Sequence, residues 1–329
     1  MKIIAFSVRK DELPYFEKFA ADFDITYATT EKELTAETAH LAEGFDAVSV
    51  YTSSPEVNDA WPILKELGIG FLTVRTCGYD GLDLELAKEH GVKVANVPRY
   101  SPSAIAEFAV ALTLSVVRKL PLALRRSRVQ DFSVGGLLGR EINTMTIGIV
   151  GTGNIGRAAA RVFKAFGARV IAYDLFENDE AREIVEYVSL EELFSRSDVI
   201  SIHAPLTDDN YHFINDQTIA QMKDGVVIIN TGRGGHIDSS ALRDGLVSGK
   251  IAAAGLDVYE FEKQWLKKDM SGQVIQDAIF RDLKNLPNVI MTPHIAFNTD
   301  VAVKNMVKIS TENLISFKNA GVCDNEITK

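Results

Sequence analysis

Short apolar, β-branched runs alternate with amphipathic helical patterns from one end of this chain to the other, which restricts it to parallel α/β architecture. In the first hundred residues the runs predict strands at 2–6, 24–27, 46–50, 70–74 and 93–95, with helices between them, among them 59–67 and 83–89. Five βα repeats are enough for one small doubly wound sheet. A longer helix is predicted over 105–118; Ser101 is placed to cap it and Pro102 suits its first turn. After a polar, Gly-rich stretch (131–141) come six more predicted strands, at 145–150, 169–174, 198–202, 225–230, 251–257 and 288–291. That is the inventory of a Rossmann sheet. From Thr299 the chain reads as one amphipathic helix and a tail, expected to pack back on the first sheet. The expected fold is therefore two doubly wound parallel-sheet domains. Residues 1–99 with 299–329 form a smaller flavodoxin-like domain, and 100–298 form a Rossmann domain.

Composition narrows the function. A chain of 329 residues exceeds one ordinary core, and 46% apolar with 24% charged residues is globular rather than disordered. A formal net charge of −10 offers no basic face to nucleic acid or anionic lipid. Cys77 and Cys323 make no disulfide framework, and no Cys/His/Asp spacing suggests a metal site. The N-terminal residues carry no signal-peptide core, and no stretch has the roughly 18 apolar residues that span a bilayer. The expectation is a cytoplasmic protein that binds neither nucleic acid nor membrane.

The sharpest local signal is Gly151-Thr-Gly153-Asn154-Ile155-Gly156, directly after an apolar strand and opening a predicted helix over 154–166. The first glycine permits a tight turn, the second lets backbone approach a diphosphate, and the third lets helix and strand pack closely. The helix N-terminus then presents N–H groups to the phosphates. Three glycines alone also fit an ordinary βα turn. Here the following strand ends at Asp174, eighteen residues past Gly156, where a carboxylate can bind ribose hydroxyls and repel a 2′-phosphate. The expected cofactor is NAD rather than NADP.

Three further segments end buried strands with chemically useful groups. After 226–230 come Thr231, Gly232 and Arg233, whose guanidinium can hold a carboxylate and polarise the neighbouring carbonyl. An arginine paired with a surface carboxylate would read the same in isolation. Asp257 closes the next strand and Glu262 follows it. The last strand runs into Pro293-His294. Reduction of a carbonyl by hydride leaves an alkoxide that needs a proton, and histidine supplies one near neutral pH. A carboxylate beside it would orient the ring and favour its protonated form. A lone histidine after a strand is more often structural; the joint arrangement favours catalysis.

With these motifs, together with His203-Ala-Pro205, Asn230-Thr-Gly-Arg233-Gly and Gly255-Leu-Asp257-Val, the chain resembles the D-isomer-specific 2-hydroxyacid dehydrogenases over its whole length, and most closely their D-lactate dehydrogenase subgroup. The resemblance implies that Arg233 binds the substrate carboxylate, Glu262 pairs with His294, and His294 exchanges the proton. It also implies that Asp257 lies beside the nicotinamide and that His203, Pro205, Asn210, Thr231 and Gly232 line the cofactor. The backbone of Cys77 and Gly78 would hold the carboxylate, and Tyr51, Tyr100 and Phe297 would wall the substrate pocket. Tyrosine at 51 is similar to the lactate-type members and favours pyruvate. Many relatives have a proline after the glutamate; here Lys263 follows, then a polar insert to Asp282 like that of the lactate-type subgroup. Cys77 stands where valine is more usual and is expected to be a small buried residue. His40, His90, His212 and His236 are read as surface or packing residues. The apolar helix over 105–117 occupies the region that forms a homodimer interface in the family.

The leading expectation is NADH-dependent reduction of pyruvate to D-lactate. A sibling acting on branched 2-oxo acids, glyoxylate or hydroxypyruvate stays open, as does an NAD-sensing corepressor-like binding protein of the same fold.

Overall fold

The structure, a computed structural model, describes residues 1–51, 54–266 and 268–328. They form two compact units: Met1–Ser101 with Asn298–Lys329, and Pro102–Phe297.

In the first unit, β1 (Lys2–Phe6), α1 (Leu13–Phe23), β2 (Thr26–Thr29), β3 (Ala47–Val50), α2 (Trp61–Glu66), β4 (Phe71–Val74), α3 (Leu84–Glu89) and β5 (Lys93–Ala95) follow in order. The strands form one parallel sheet ordered β2-β1-β3-β4-β5, the flavodoxin-like arrangement. The second strand lies two residues later than the sequence predicts, because Asp24 takes a left-handed conformation (φ 51°) that ends α1 and delays pairing. Trp61, Leu64 and Ala87 fill one face of the sheet. The terminal helix (Asp300–Ala320) covers part of the other, setting Leu314 and Phe317 against Ile3, Ala47 and Ala95. Phe317 stacks flat on Phe71 at 5.3 Å between ring centroids.

The second unit opens with α4 (Pro102–Val117) and α5 (Leu120–Arg128). Nothing in the sequence reading assigned the latter. Lys119 breaks the run with φ 54°, and Pro121 then suits the first turn of a new helix. The sheet elements are β6 (Thr146–Val150), α6 (Asn154–Ala165), β7 (Arg169–Tyr173), α7 (Asp179–Arg182), β8 (Glu186–Tyr187), α8 (Leu190–Arg196), β9 (Val199–Ile202), α9 (Asp216–Gln221), β10 (Val226–Asn230), α10 (Ser239–Ser248), β11 (Ile251–Leu256), α11 (Ala278–Asn285) and β12 (Val289–Met291). The order is β12-β11-β10-β9-β6-β7-β8, all parallel. Seven strands replace the expected six. The extra one, β8, is two residues long and shows no periodicity in sequence.

Residues 226–229 are buried throughout, as expected of a strand covered on both faces. Chain order reverses direction at β6, which pairs with β7 on one side and β9 on the other, so a crevice opens at the carboxyl ends of the strands there. Among the described residues no helix is long and apolar enough to cross a membrane.

Candidate active site

Each glycine of the β6–α6 turn has its own reason to be glycine. Gly151 has φ 91°, and a Cβ there would sit 2.6 Å from the Ala204 nitrogen, so the turn lies flat on the chain leaving β9. A Cβ on Gly156 would fall 1.9 Å from the Gly151 carbonyl oxygen, so helix and turn pack without a side chain between them. At Gly153 a Cβ would meet nothing within 4 Å, and this residue heads α6 with no side-chain cap. The second glycine therefore borders open space at an uncapped helix N-terminus, the arrangement that receives a diphosphate. The Asn154 side-chain oxygen accepts from Arg157 (3.1 Å), and Arg157 also donates to the Thr152 carbonyl (2.9 Å), which ties the Asn154 side chain to the first turn of α6.

Asp174 is held in place from β6. Its Oδ2 accepts from the Thr152 N–H (2.6 Å) and hydroxyl (2.9 Å), and its Oδ1 accepts from the Phe176 N–H (3.0 Å). The Thr152 hydroxyl in turn accepts from Tyr187 on β8 (2.7 Å), so the strand missed in sequence supports the predicted ribose acid. Two buried polar atoms at the neighbouring strand ends lack a hydrogen-bond partner among the described residues: Nδ1 of His203 and Oγ1 of Thr231. Burial pushes His203 down to about 4, so its ring is neutral, with Nε2 paired to Ser201 (2.9 Å). An open glycine cradle, a fixed carboxylate and two orphaned polar atoms fit a dinucleotide. Asn210, expected to line the cofactor, has a side chain that shapes its own loop, accepting from Thr207 N–H (2.8 Å) and donating to the Pro205 carbonyl (2.8 Å).

Arg233 follows β10 on a loop shaped by Asn230. That fully buried side chain accepts from the Gly232 N–H (3.0 Å) and donates to the Arg233 carbonyl (2.9 Å), closing a turn under the guanidinium. The next residue must be glycine, since a Cβ on Gly234 would lie 2.1 Å from the Tyr259 carbonyl carbon. The loops after β10 and β11 are thus packed backbone to backbone. Asn230 was not singled out by sequence; an Asx residue between an apolar strand and Thr-Gly was the available signal.

Asp257 is fully buried one residue past β11. Its carboxylate accepts from the Thr292 hydroxyl (2.5 Å) and from the N–H groups of Ile295 (2.9 Å) and Ala296 (2.8 Å), so it binds both flanks of His294. Burial raises its pKa above the ordinary carboxylate value, against these donors. The side chain expected beside the nicotinamide therefore acts on the loop after β12. Held this way, His294 adopts φ 56°, and its Nδ1 lies 2.8 Å from Glu262 Oε1. The other oxygen of Glu262 accepts from the Tyr259 N–H (3.1 Å), which fixes the carboxylate. The insert after Glu262 is less polar in effect than in composition, because Trp265 packs with Phe280 and Tyr259 (centroids 5.0 and 6.1 Å) and closes over this loop.

His212 and His236 lie close by. His236 is fully buried and serves packing. His212 does more than sit at the surface: its Nε2 pairs at 2.7 Å with buried Glu260.

The first unit carries the other predicted substrate residues. Tyr51 directly follows β3 and is 4% exposed; burial pushes its phenol up to about 12, so it stays a neutral hydroxyl. Cys77 is exposed, not buried as expected, because it sits on the turn after β4 rather than in the sheet. Its carbonyl accepts from Asn96 (2.7 Å), which orients the peptide plane so that the Gly78 N–H points the opposite way. The Gly78 carbonyl accepts from the Thr76 hydroxyl (2.8 Å). The Tyr100 carbonyl is held by Asn305 (2.7 Å). Phe297, half-buried, ends the second unit.

Residues 110–296 match the family model of the D-isomer specific 2-hydroxyacid dehydrogenase NAD binding domain. The chain is 45% identical over 327 residues to an aromatic 2-oxoacid reductase of Clostridium sporogenes, covering 99% of each. It is 41% identical over 329 residues to a D-lactate dehydrogenase of Lactiplantibacillus plantarum, again covering 99% of each. The solved structure of a D-2-hydroxyisocaproate dehydrogenase superposes with a TM-score of 0.94 at 38% identity, covering all of both chains. A turn shaped for a dinucleotide and a fixed histidine–carboxylate pair thus sit in a chain that belongs to the NAD-dependent D-isomer-specific 2-hydroxyacid dehydrogenases.

Proposed function

We propose that this enzyme reduces pyruvate to D-lactate, with His294 as proton donor and Arg233 as carboxylate anchor. The observation that carries the chemistry is the 2.8 Å contact between His294 Nδ1 and Glu262, because it commits one ring nitrogen and assigns the substrate proton to Nε2. When bound, NADH supplies the hydride. Arg233 holds the carboxylate and draws electron density from the carbonyl oxygen, aided by backbone N–H groups at Cys77 and Gly78. His294 delivers its Nε2 proton to that oxygen, and Glu262 stabilises the ring while it is charged. Asp257 keeps the histidine loop in register. Gly151, Gly153, Asn154, Ile155 and Gly156 receive the diphosphate and Asp174 the ribose, while His203, Pro205, Thr231 and Gly232 border the cofactor. Residues 1–99 and 299–329 serve the substrate, and 100–298 serve the cofactor.

Pyruvate is favoured because Tyr51, Tyr100 and Phe297 are bulky, and Tyr51 is buried in a fixed position. A second reading, a larger 2-oxo acid, is favoured by the 45% identity to an aromatic 2-oxoacid reductase. NADH oxidation measured against pyruvate, 2-oxo-4-methylpentanoate and phenylpyruvate, with product chirality determined, separates the two. A higher kcat/KM for phenylpyruvate than for pyruvate sinks the lactate assignment. The exposed apolar side chains Leu120, Leu124, Phe132, Val134 and Leu138 support a homodimer, testable as twice the 36.2 kDa chain mass in sedimentation.

A further inference from the structure

Tyr51 is held by a device that lies wholly in the first unit. The Arg9 guanidinium sits over the Tyr51 ring, 4.4 Å from its centroid. A planar cation at this distance is attracted to the face of the ring and resists its tilting. Arg9 is itself clamped: Nε and one terminal nitrogen donate to the two oxygens of Asp11 at 2.9 and 2.8 Å. Its backbone N–H donates to Glu12 Oε2 (2.9 Å). Glu12 is fully buried, and its other oxygen accepts from Arg75 Nε at 3.0 Å; that arginine is fully buried as well. Arg75 completes the anchor by donating to the Phe6 carbonyl (2.9 Å) and the Ser49 hydroxyl (3.1 Å). Phe6 and Val50 are paired residues of β1 and β3, and the Arg75 N–H bonds to the Val50 carbonyl (2.7 Å). The segment bearing Arg9 and the strand that Tyr51 directly follows are thus tied to one buried ion pair.

We infer that Arg9 is a specificity-positioning residue, which fixes the Tyr51 ring and so stiffens the enzyme against 2-oxo acids with bulky side chains. This rests on the reading above that Tyr51 limits substrate size. A free aromatic ring yields to an added methylene group at little cost, whereas a clamped one transmits the misfit to the substrate. Asp11 holds Nε and one terminal nitrogen while the guanidinium face lies on the Tyr51 ring, and the role inferred for Arg9 is the one it exerts through that ring.

The test is kcat/KM for pyruvate, 2-oxo-4-methylpentanoate and phenylpyruvate in wild type, Arg9→Gln, Arg9→Lys, Tyr51→Leu and the Arg9→Gln/Tyr51→Leu double variant. The expected result is that Arg9→Gln narrows the preference for pyruvate by about threefold to tenfold, the worth of one such contact. The change should lie mainly in KM for the bulky acids. Arg9→Lys should recover part of the preference, and in the Tyr51→Leu background Arg9→Gln should change nothing further. Equal loss for all three acids would overturn the proposal, since a structural or carboxylate-binding arginine gives that pattern. If Tyr51→Leu shifts the preference and Arg9→Gln does not, the proposal fails while the reading of Tyr51 stands. If Tyr51→Leu itself leaves the preference unchanged, both fall.

Discussion

Nδ1 of His294 is committed to Glu262, so replacing the ring removes the proposed proton at Nε2 and leaves the glycine cradle untouched. His294→Gln should lower kcat by about 10²–10⁴-fold while NADH still binds, as followed by fluorescence titration. Turnover close to wild type would take the histidine out of the mechanism. His203 makes the opposite kind of contribution, through pH. Burial holds it at about 4, below the ordinary 6.5. As pH falls past 6.5 the unfolded chain takes up a proton that the folded chain refuses until near 4. The stability is therefore present above about 6.5 and is lost on the way down to 4, by roughly 3 kcal/mol. Thermal midpoints of the apo protein between pH 7.5 and 4 should fall more steeply in wild type than in His203→Asn. Parallel slopes would mean that His203 does not resist protonation. The pairing of His294 with Glu262 was legible at this scale because a histidine and a carboxylate each follow an apolar strand of the same series. The pair His212–Glu260 was not, since a carboxylate 48 residues from its partner leaves no local pattern.

The β6–α6 turn holds two glycines, Gly153 and Gly156, with opposite constraints. Gly156→Ala puts a methyl group 1.9 Å from a backbone oxygen and should lower the melting temperature sharply or prevent folding. Gly153→Ala meets nothing within 4 Å in the protein, so its melting temperature should stay near wild type while NADH affinity drops by tenfold or more. Unchanged affinity in Gly153→Ala would show that the diphosphate does not approach there. Elements with long apolar runs were readable from sequence, β6 and β10 above all, because both faces are covered and the run is continuous. The short ones were not. A two-residue strand such as β8 has no period, yet Tyr187 on it holds Thr152 against Asp174. Cys77 was misread because a cysteine where valine is more usual suggested a buried position, but β4 ends at Val74 and the thiol lies beyond it.

For the molecule as a whole, the ion pair of Glu12 and Arg75 is a stability commitment of the first unit, with both side chains fully buried. Glu12→Gln strands a buried guanidinium and should cost about 3–5 kcal/mol, read as a lower urea midpoint. The double replacement Glu12→Leu with Arg75→Met should recover much of that loss, since neither buried charge then remains. A Glu12→Gln midpoint equal to wild type would show that the pair carries no such weight. The order of the second sheet has a different consequence. The glycine turn and Asp174 hang from β6 and β7, whereas Arg233, Glu262 and His294 follow β10, β11 and β12, with β9 between the two groups. With the roles proposed above, nucleotide choice and proton handling rest on separate strands, so the first can be altered without rebuilding the second. Losses from Asp174→Ser and His294→Gln should accordingly multiply rather than mask each other.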